Sequence, residues 1–133
     1  MAKKQKTKSI ASLKKTLDKV FNAFIRRRDS RGGFFECISC GQTKSVDQMD
    51  AGHFYAKTFT ALRWDEGNVW GQCQKCNRFL HGNLLEYRKG LVAKFSEDFV
   101  RKLDLAKHHP AKLDRMSLEY QISYYKDKLN NSI

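Results

Sequence analysis

From Ser9 to Arg28 the apolar residues Ile10, Leu13, Leu17, Val20, Phe21, Phe24 and Ile25 recur at steps of three and four. That spacing predicts one amphipathic helix, with Ser9 placed to cap its start. Arg26, Arg27 and Arg28 close it, where cations suit the negative end of the helix dipole; the same arginines are candidates for gripping a phosphate backbone. Arg31-Gly32-Gly33 breaks the pattern. Val46 to Phe59 predicts two short strands, or a strand and a loop. Leu62 to Trp70 is turn-rich, with Gly67 as a breaker. A helix is expected to begin at Cys76 or Asn77 and to meet Gly82. Leu84 to Phe95 predicts another, and Glu97 to Lys107 a third. That third helix stops at His108-His109-Pro110, because a proline disfavours helical geometry in the residue before it. Ser117 to Leu129 carries Leu118, Ile122, Tyr125 and Leu129 on one stripe, a last amphipathic helix.

Charge changes the picture more than composition does. The 133 residues are 41% hydrophobic, enough for one modest core. Net charge is +12, and a surplus of that size favours a polyanionic partner through counterion release and steering. No apolar run approaches the length of a membrane span, so no membrane association is expected. The lysine-rich start lacks the apolar segment of a signal peptide, so export is not expected and a cytoplasmic location is.

Four cysteines fall in two tight pairs, Cys37/Cys40 and Cys73/Cys76, with 32 residues between the pairs. In a chain that is not exported, this spacing points to metal rather than disulfides. Two thiolates on each knuckle make half of a tetrahedron, and Gly41 permits the tight turn after Cys40. With all four positions filled by sulfur no site is left for water, so the expected ion is a structural zinc.

Between the pairs lies Asp50-Ala51-Gly52-His53-Phe54, then Asn68, and Asn77 directly after the last cysteine. The order histidine, asparagine, asparagine inside a frame of four cysteines resembles the HNH (ββα-metal) nuclease superfamily. The resemblance narrows further. Phe21-Asn22-Ala23-Phe24-Ile25-Arg26, Arg28-Asp29, Cys37-Ile38-Ser39-Cys40-Gly41, Leu62-Arg63, Gln72-Cys73, Gly82-Asn83 and Tyr87-Arg88 are similar to the NinG (Rap) family of phage recombination endonucleases. It covers roughly residues 15 to 100.

The resemblance implies an α+β fold: a zinc-stapled ββα-metal core flanked by N-terminal and C-terminal helices. The expected division is a basic flexible arm at 1–8, a nuclease domain at 9–95 and a C-terminal helical extension at 96–133. The chain is expected to lack the longer N-terminal extension, with extra cysteines, of some members. The implied activity is metal-dependent cleavage of branched DNA such as Holliday junctions or D-loops, in the cytoplasm of a bacterial host.

Chemistry explains the residue types. A neutral imidazole can take a proton from water near physiological pH, and His53 is the candidate base. The resemblance assigns Asn68 to holding that ring. Asn77 and a carboxylate would hold magnesium or manganese, which take oxygen ligands. Asp50 is the first choice, with Asp47 and His81 open. In an extended strand Asp50 and His53 face opposite ways unless Gly52 forms a bulge. His81, four residues after Asn77, would share its face on a helix. Arg63 is a candidate phosphate clamp, or else one half of a salt bridge. Trp64 and Trp70 could touch bases, but core packing is the stronger expectation. The rival functions are a zinc-containing module that binds nucleic acid without cutting it, and a structural zinc domain. Either the terminal helices form a homodimer surface, or Tyr120, Ile122, Tyr124 and Tyr125 pack on their own core.

Overall fold

A computed structural model describes residues 7–131. Residues 1–6 of the expected basic arm lie outside the described residues. Helix α1 (Ile10–Arg28) forms where the periodicity placed it, with the Ser9 hydroxyl accepting a hydrogen bond from the Ser12 N–H. Its stripe Leu13, Leu17, Phe21 and Ile25 is buried. Asp29 ends the helix and anchors it to a strand much later in the chain, since its carboxylate accepts from the Gly71 N–H at 2.8 Å.

Two small sheets come next. Strands β1 (Ser30–Arg31), β2 (Phe34–Glu36) and β3 (Thr43–Ser45) form an antiparallel meander. The Gly32-Gly33 turn, with both residues at positive φ, makes its first hairpin possible. Strands β4 (Met49–His53) and β5 (Val69–Cys73) form the second sheet. Their register is unbroken from Met49 opposite Cys73 to His53 opposite Val69, so Gly52 makes no bulge. A single π turn, Lys75–Phe79, replaces the expected longer helix to Gly82. Helices α2 (Leu84–Lys94), α3 (Glu97–Ala106) and α4 (Arg115–Asn131) complete the chain.

Three buried clusters hold these pieces together. The first joins α1 to α4 through Phe21, Ile25, Leu118, Ile122 and Tyr125, with Trp64 and Val69 beneath. The second joins α2 to α3 around Tyr87, Leu91, Val100 and Leu103, and takes in Phe54 and Leu62 from the β4–β5 connection. The third surrounds the cysteines with Phe35 and Met49. The segment after residue 95 therefore packs into the same body: α3 shares a core with α2, and α4 returns to α1. Packing accounts for Ile122 and Tyr125, while Tyr120 remains 70% exposed. Both tryptophans pack as expected. Trp64 is buried, and Trp70 lies between the Arg28 guanidinium, 3.9 Å from its ring centroid, and Phe95.

Candidate functional site

Two centres flank the β4–β5 sheet. Cys37 and Cys40 sit on the turn between β2 and β3. Cys73 ends β5, and Cys76 lies in the π turn. Their four sulfur atoms all lie within 4.8 Å of one another, and Cys40 Sγ is 3.9 Å from Cys73 Sγ. A tetrahedral ion with Zn–S bonds of about 2.3 Å needs sulfurs about 3.8 Å apart, so the four thiols could hold a metal such as zinc. The polypeptide already points N–H groups at the sulfurs. Cys73 N–H reaches Cys37 Sγ at 3.3 Å, and Cys76 N–H reaches Cys73 Sγ at 3.5 Å. Burial pushes the Cys76 thiol up to about 12. Burial also acts on Cys37, but the N–H donors of Cys73, Cys40 and Ser39 outweigh it and hold that thiol below its ordinary value.

The second centre is an open cleft of about 1030 Å³ lined by His53, Asp50, Asn77 and His81, with Arg26, Lys57 and Arg78 on its rim. His53 is the last residue of β4. Its Nε2 lies 2.8 Å from the Arg63 carbonyl oxygen, which only accepts, so Nε2 carries the proton and Nδ1 is left as the basic nitrogen. Burial lowers the pKa of this imidazole below 6.5, and the Lys57 and Arg63 cations act the same way. The Arg63 carbonyl and Asp18 oppose them without reversing the shift. The ring is accordingly neutral at pH 7.

The structure changes several expected roles. Asn68 is fully buried and does not hold the ring directly. Its Oδ1 accepts from the Tyr55 N–H, and its Nδ2 donates to the carbonyls of Tyr55 and Leu62, all at 2.9–3.0 Å. It therefore pins both ends of the loop that delivers the Arg63 carbonyl to His53. The Arg63 guanidinium is committed to Asp18, with bonds of 2.6 and 3.1 Å, and is not a phosphate clamp on the cleft. Trp64 Nε1 donates to the same carboxylate.

Asp50 and Asn77 do come together, with Asn77 Nδ2 donating to Asp50 Oδ2 at 2.9 Å. No bulge is needed: Asp50 and His53 both reach the cleft, and His53 does so from the strand's end. Asp47 is not in the cleft; it sits on an exposed turn and accepts from the Ser45 hydroxyl. His81 lines the cleft but does not share a helical face with Asn77, because the π turn ends at Phe79 and His81 has φ of 50°.

Sequence reasoning missed Arg78 altogether. Its guanidinium binds Asp50 bidentately at 2.9 Å. A residue directly after Asn77 carries no periodic or spacing signal that would have singled it out. Sequence reasoning also missed why position 52 is glycine. A Cβ there would lie 2.0 Å from Gln72 Oε1 and 2.8 Å from Gln72 Cβ, and the Gly52 carbonyl accepts from the buried Tyr87 hydroxyl at 2.6 Å.

Fold and site thus define a small α+β protein with a four-cysteine cluster backing a histidine-bearing, cation-rimmed cleft. A family model described as Bacteriophage Lambda NinG protein matches residues 1–132, and the chain belongs to that family. Protein ninG of Escherichia phage 933W is 41% identical over 92 residues, 68% of this chain and 43% of that protein. Protein ninG of Escherichia phage lambda is 40% identical over the same share of each chain. Protein ninG of Salmonella phage P22 is 46% identical over 80 residues, 59% of this chain and 37% of that protein. The aligned part of the chain thus spans less than half the length of these curated relatives. No solved structure matches the chain. Among the described residues no helix is long and apolar enough to cross a membrane.

Proposed function

We propose that this protein is an HNH-type, metal-dependent DNA endonuclease acting on branched recombination intermediates in the host cytoplasm. The observation that carries the proposal is the His53 ring. Its Nε2–H is tied to a backbone carbonyl, it is neutral at pH 7, and it faces the same cleft as the Asp50–Asn77 pair. On this reading β4, β5 and the π turn form the ββα-metal core, with the turn as a shortened helix, and the four cysteines hold a structural zinc at the Met49–Cys73 end of the sheet, opposite the end that carries His53.

The oxygen donors of Asp50 and Asn77 suit a magnesium or manganese ion. Such an ion, when bound, neutralises charge on the scissile phosphate and on the departing oxygen. Nδ1 of His53 takes the proton of a water as its oxygen bonds to phosphorus. The P–O3′ bond breaks with its electron pair on O3′, which takes a proton from solvent water, leaving a 5′-phosphate and a 3′-hydroxyl, and His53 returns its proton to solvent. Asn68 and Arg63 act as positioning residues, one through the loop and one through its carbonyl. Arg26 and Lys57 draw the backbone into the cleft.

One observation favours a second reading. Arg78 occupies both oxygens of Asp50, as it would in a module that binds DNA without cutting it. The deciding experiment is cleavage of a synthetic four-way junction against a matched linear duplex, with magnesium or manganese and with His53→Ala alongside. Junction cutting that the variant loses, with binding retained, supports the nuclease. Equal cutting of both substrates keeps the nuclease and discards the preference for branches. Tight binding by zinc-loaded protein that never cuts establishes the binding module.

A further inference from the structure

The turn that succeeds Asn77 differs from the rest of the surface. Phe79, Leu80, Leu84 and Leu85 are exposed there by 76, 46, 49 and 69%. Between them His81, Gly82 and Asn83 all have left-handed backbone, with φ of 50°, 88° and 42°. Side-chain-bearing residues rarely adopt that region, so a run containing two of them marks an imposed shape. The shape is pinned from inside. The Gly82 N–H donates to the Cys76 carbonyl at 2.9 Å, and the Gly82 carbonyl accepts from Gln72 Nε2 at 2.6 Å. Asn83 Nδ2 reaches Cys76 Sγ at 3.4 Å, so the cysteine cluster anchors the turn. Its other side opens on the cleft, which His81, Leu84 and Leu85 line together with His53 and Asp50.

We propose that this apolar knob is a wedge for nucleobases, with Phe79 and the neighbouring leucines seated against a base left unstacked at the branch point of the DNA in the cleft. The proposal rests on the nuclease assignment and supplies what that assignment lacks, a source for the preference for branches. Phosphate contacts on the Arg26 and Lys57 rim recognise any DNA, and His53 acts on any phosphodiester. Apolar side chains instead stack on or insert beside bases, and the cost of exposing a base is least where pairing is already interrupted. The Leu84–Leu85 side of the knob lines the cleft with Arg26, Lys57 and Arg78, on a chain of net charge +12, and Phe79 and Leu80 stand just before it in the same turn. That charge suits a polyanion whose bases reach the knob while its phosphates lie in the cleft.

The test is a cycle across the interface. Zinc-loaded wild-type protein and Phe79→Ala are titrated, without added magnesium or manganese, against a four-way junction. Each branch-point nucleotide is replaced in turn by an abasic site, and a linear duplex is run beside it. Phe79 is a surface residue, so the variant is expected to melt like wild type, and Leu85→Ala provides a second, independent probe. At one position the abasic site should weaken wild-type binding about tenfold, the scale of one stacked base. Phe79→Ala should weaken binding to the intact junction similarly, and combining the two should cost no more. Losses that multiply at every position, or an unchanged junction-to-duplex ratio in both variants, would overturn the wedge while leaving His53-dependent cleavage intact. Self-association of the wild type that Phe79→Ala abolishes would make the knob a protein interface and also overturn it. Failure of wild-type protein to bind either DNA would remove the nuclease assignment itself.

Discussion

A histidine becomes a usable base when one nitrogen is tied down as a donor and the ring is kept neutral, and His53 meets both conditions through local contacts. Burial and the nearby cations lower its pKa, so its basic form persists below pH 6.5. The acid limb of kcat/KM for DNA cleavage is therefore expected below 6.5. A limb at or above that value would point to a different base. His53→Ala should abolish cleavage while leaving DNA binding in place. Arg78 makes a second prediction at this scale. It holds both oxygens of Asp50 from a largely exposed position. Arg78→Ala should raise the affinity of the cleft for Mn²⁺ a few-fold, as loss of a surface ion pair allows, and Asp50→Asn should abolish it. Calorimetric titration of the zinc-loaded protein reads both.

At the scale of elements, the site depends on two close approaches. Helix α2 lies so near the first cysteine knuckle that a Cβ on Gly90 would come within 1.9 Å of the Ile38 carbonyl oxygen. Gly90→Ala must push that helix away, at a cost of ~1–3 kcal/mol for overpacking, or about 3–15 °C in Tm for a chain of this size. An unchanged melting curve would show that α2 is not seated on the knuckle. The connection between β4 and β5 is the other case. Asn68 satisfies three backbone groups in it, so Asn68→Ala should destabilise by about 1–3 kcal/mol through the unpaired polar groups it leaves. It should also lower kcat more than it raises KM, because the Arg63 carbonyl would no longer be held against His53.

At the scale of the molecule, the three buried clusters share elements rather than standing alone. The cysteine cluster joins the meander, the β4–β5 sheet and the π turn. If these thiols hold zinc, stripping it from zinc-loaded protein with a strong chelator should lower Tm by more than about 10 °C, since binding to such sites is worth roughly 10–16 kcal/mol in small zinc domains. Added magnesium should not restore the loss. The net charge of +12 belongs to this scale too. DNA affinity should fall steeply with salt, and Arg26→Ala should flatten the slope of log K against log salt by about one contact.

Much of the architecture was legible in the chain because it rests on local periodicity and short-range spacing. The three- and four-residue steps from Ile10 to Ile25 favour a helix wherever they occur, and two C-x2-C pairs make sense only if they converge. The family resemblance, not spacing, brought Asp50, His53 and Asn77 together; spacing alone put Asp50 and His53 on opposite faces, yet all three line one cleft. Spacing logic failed again where the outcome depended on long-range partners. The sequence left Arg63 open between a phosphate clamp and a salt bridge, and Asp18, 45 residues before it, makes it half of a part-buried ion pair. Gln72, facing β4 from the neighbouring strand, requires glycine at position 52. The left-handed turn at His81 exists because Gln72 and Cys76 hold it, and it ends the helix that the local sequence had promised. The sequence by itself determined the helices, the convergence of the four thiols and the polar residues that meet in the cleft. Only the tertiary structure decided which nitrogen of His53 is basic, what holds Asp50, and which apolar side chains are left outside the core, because those depend on partners that spacing along the chain does not encode.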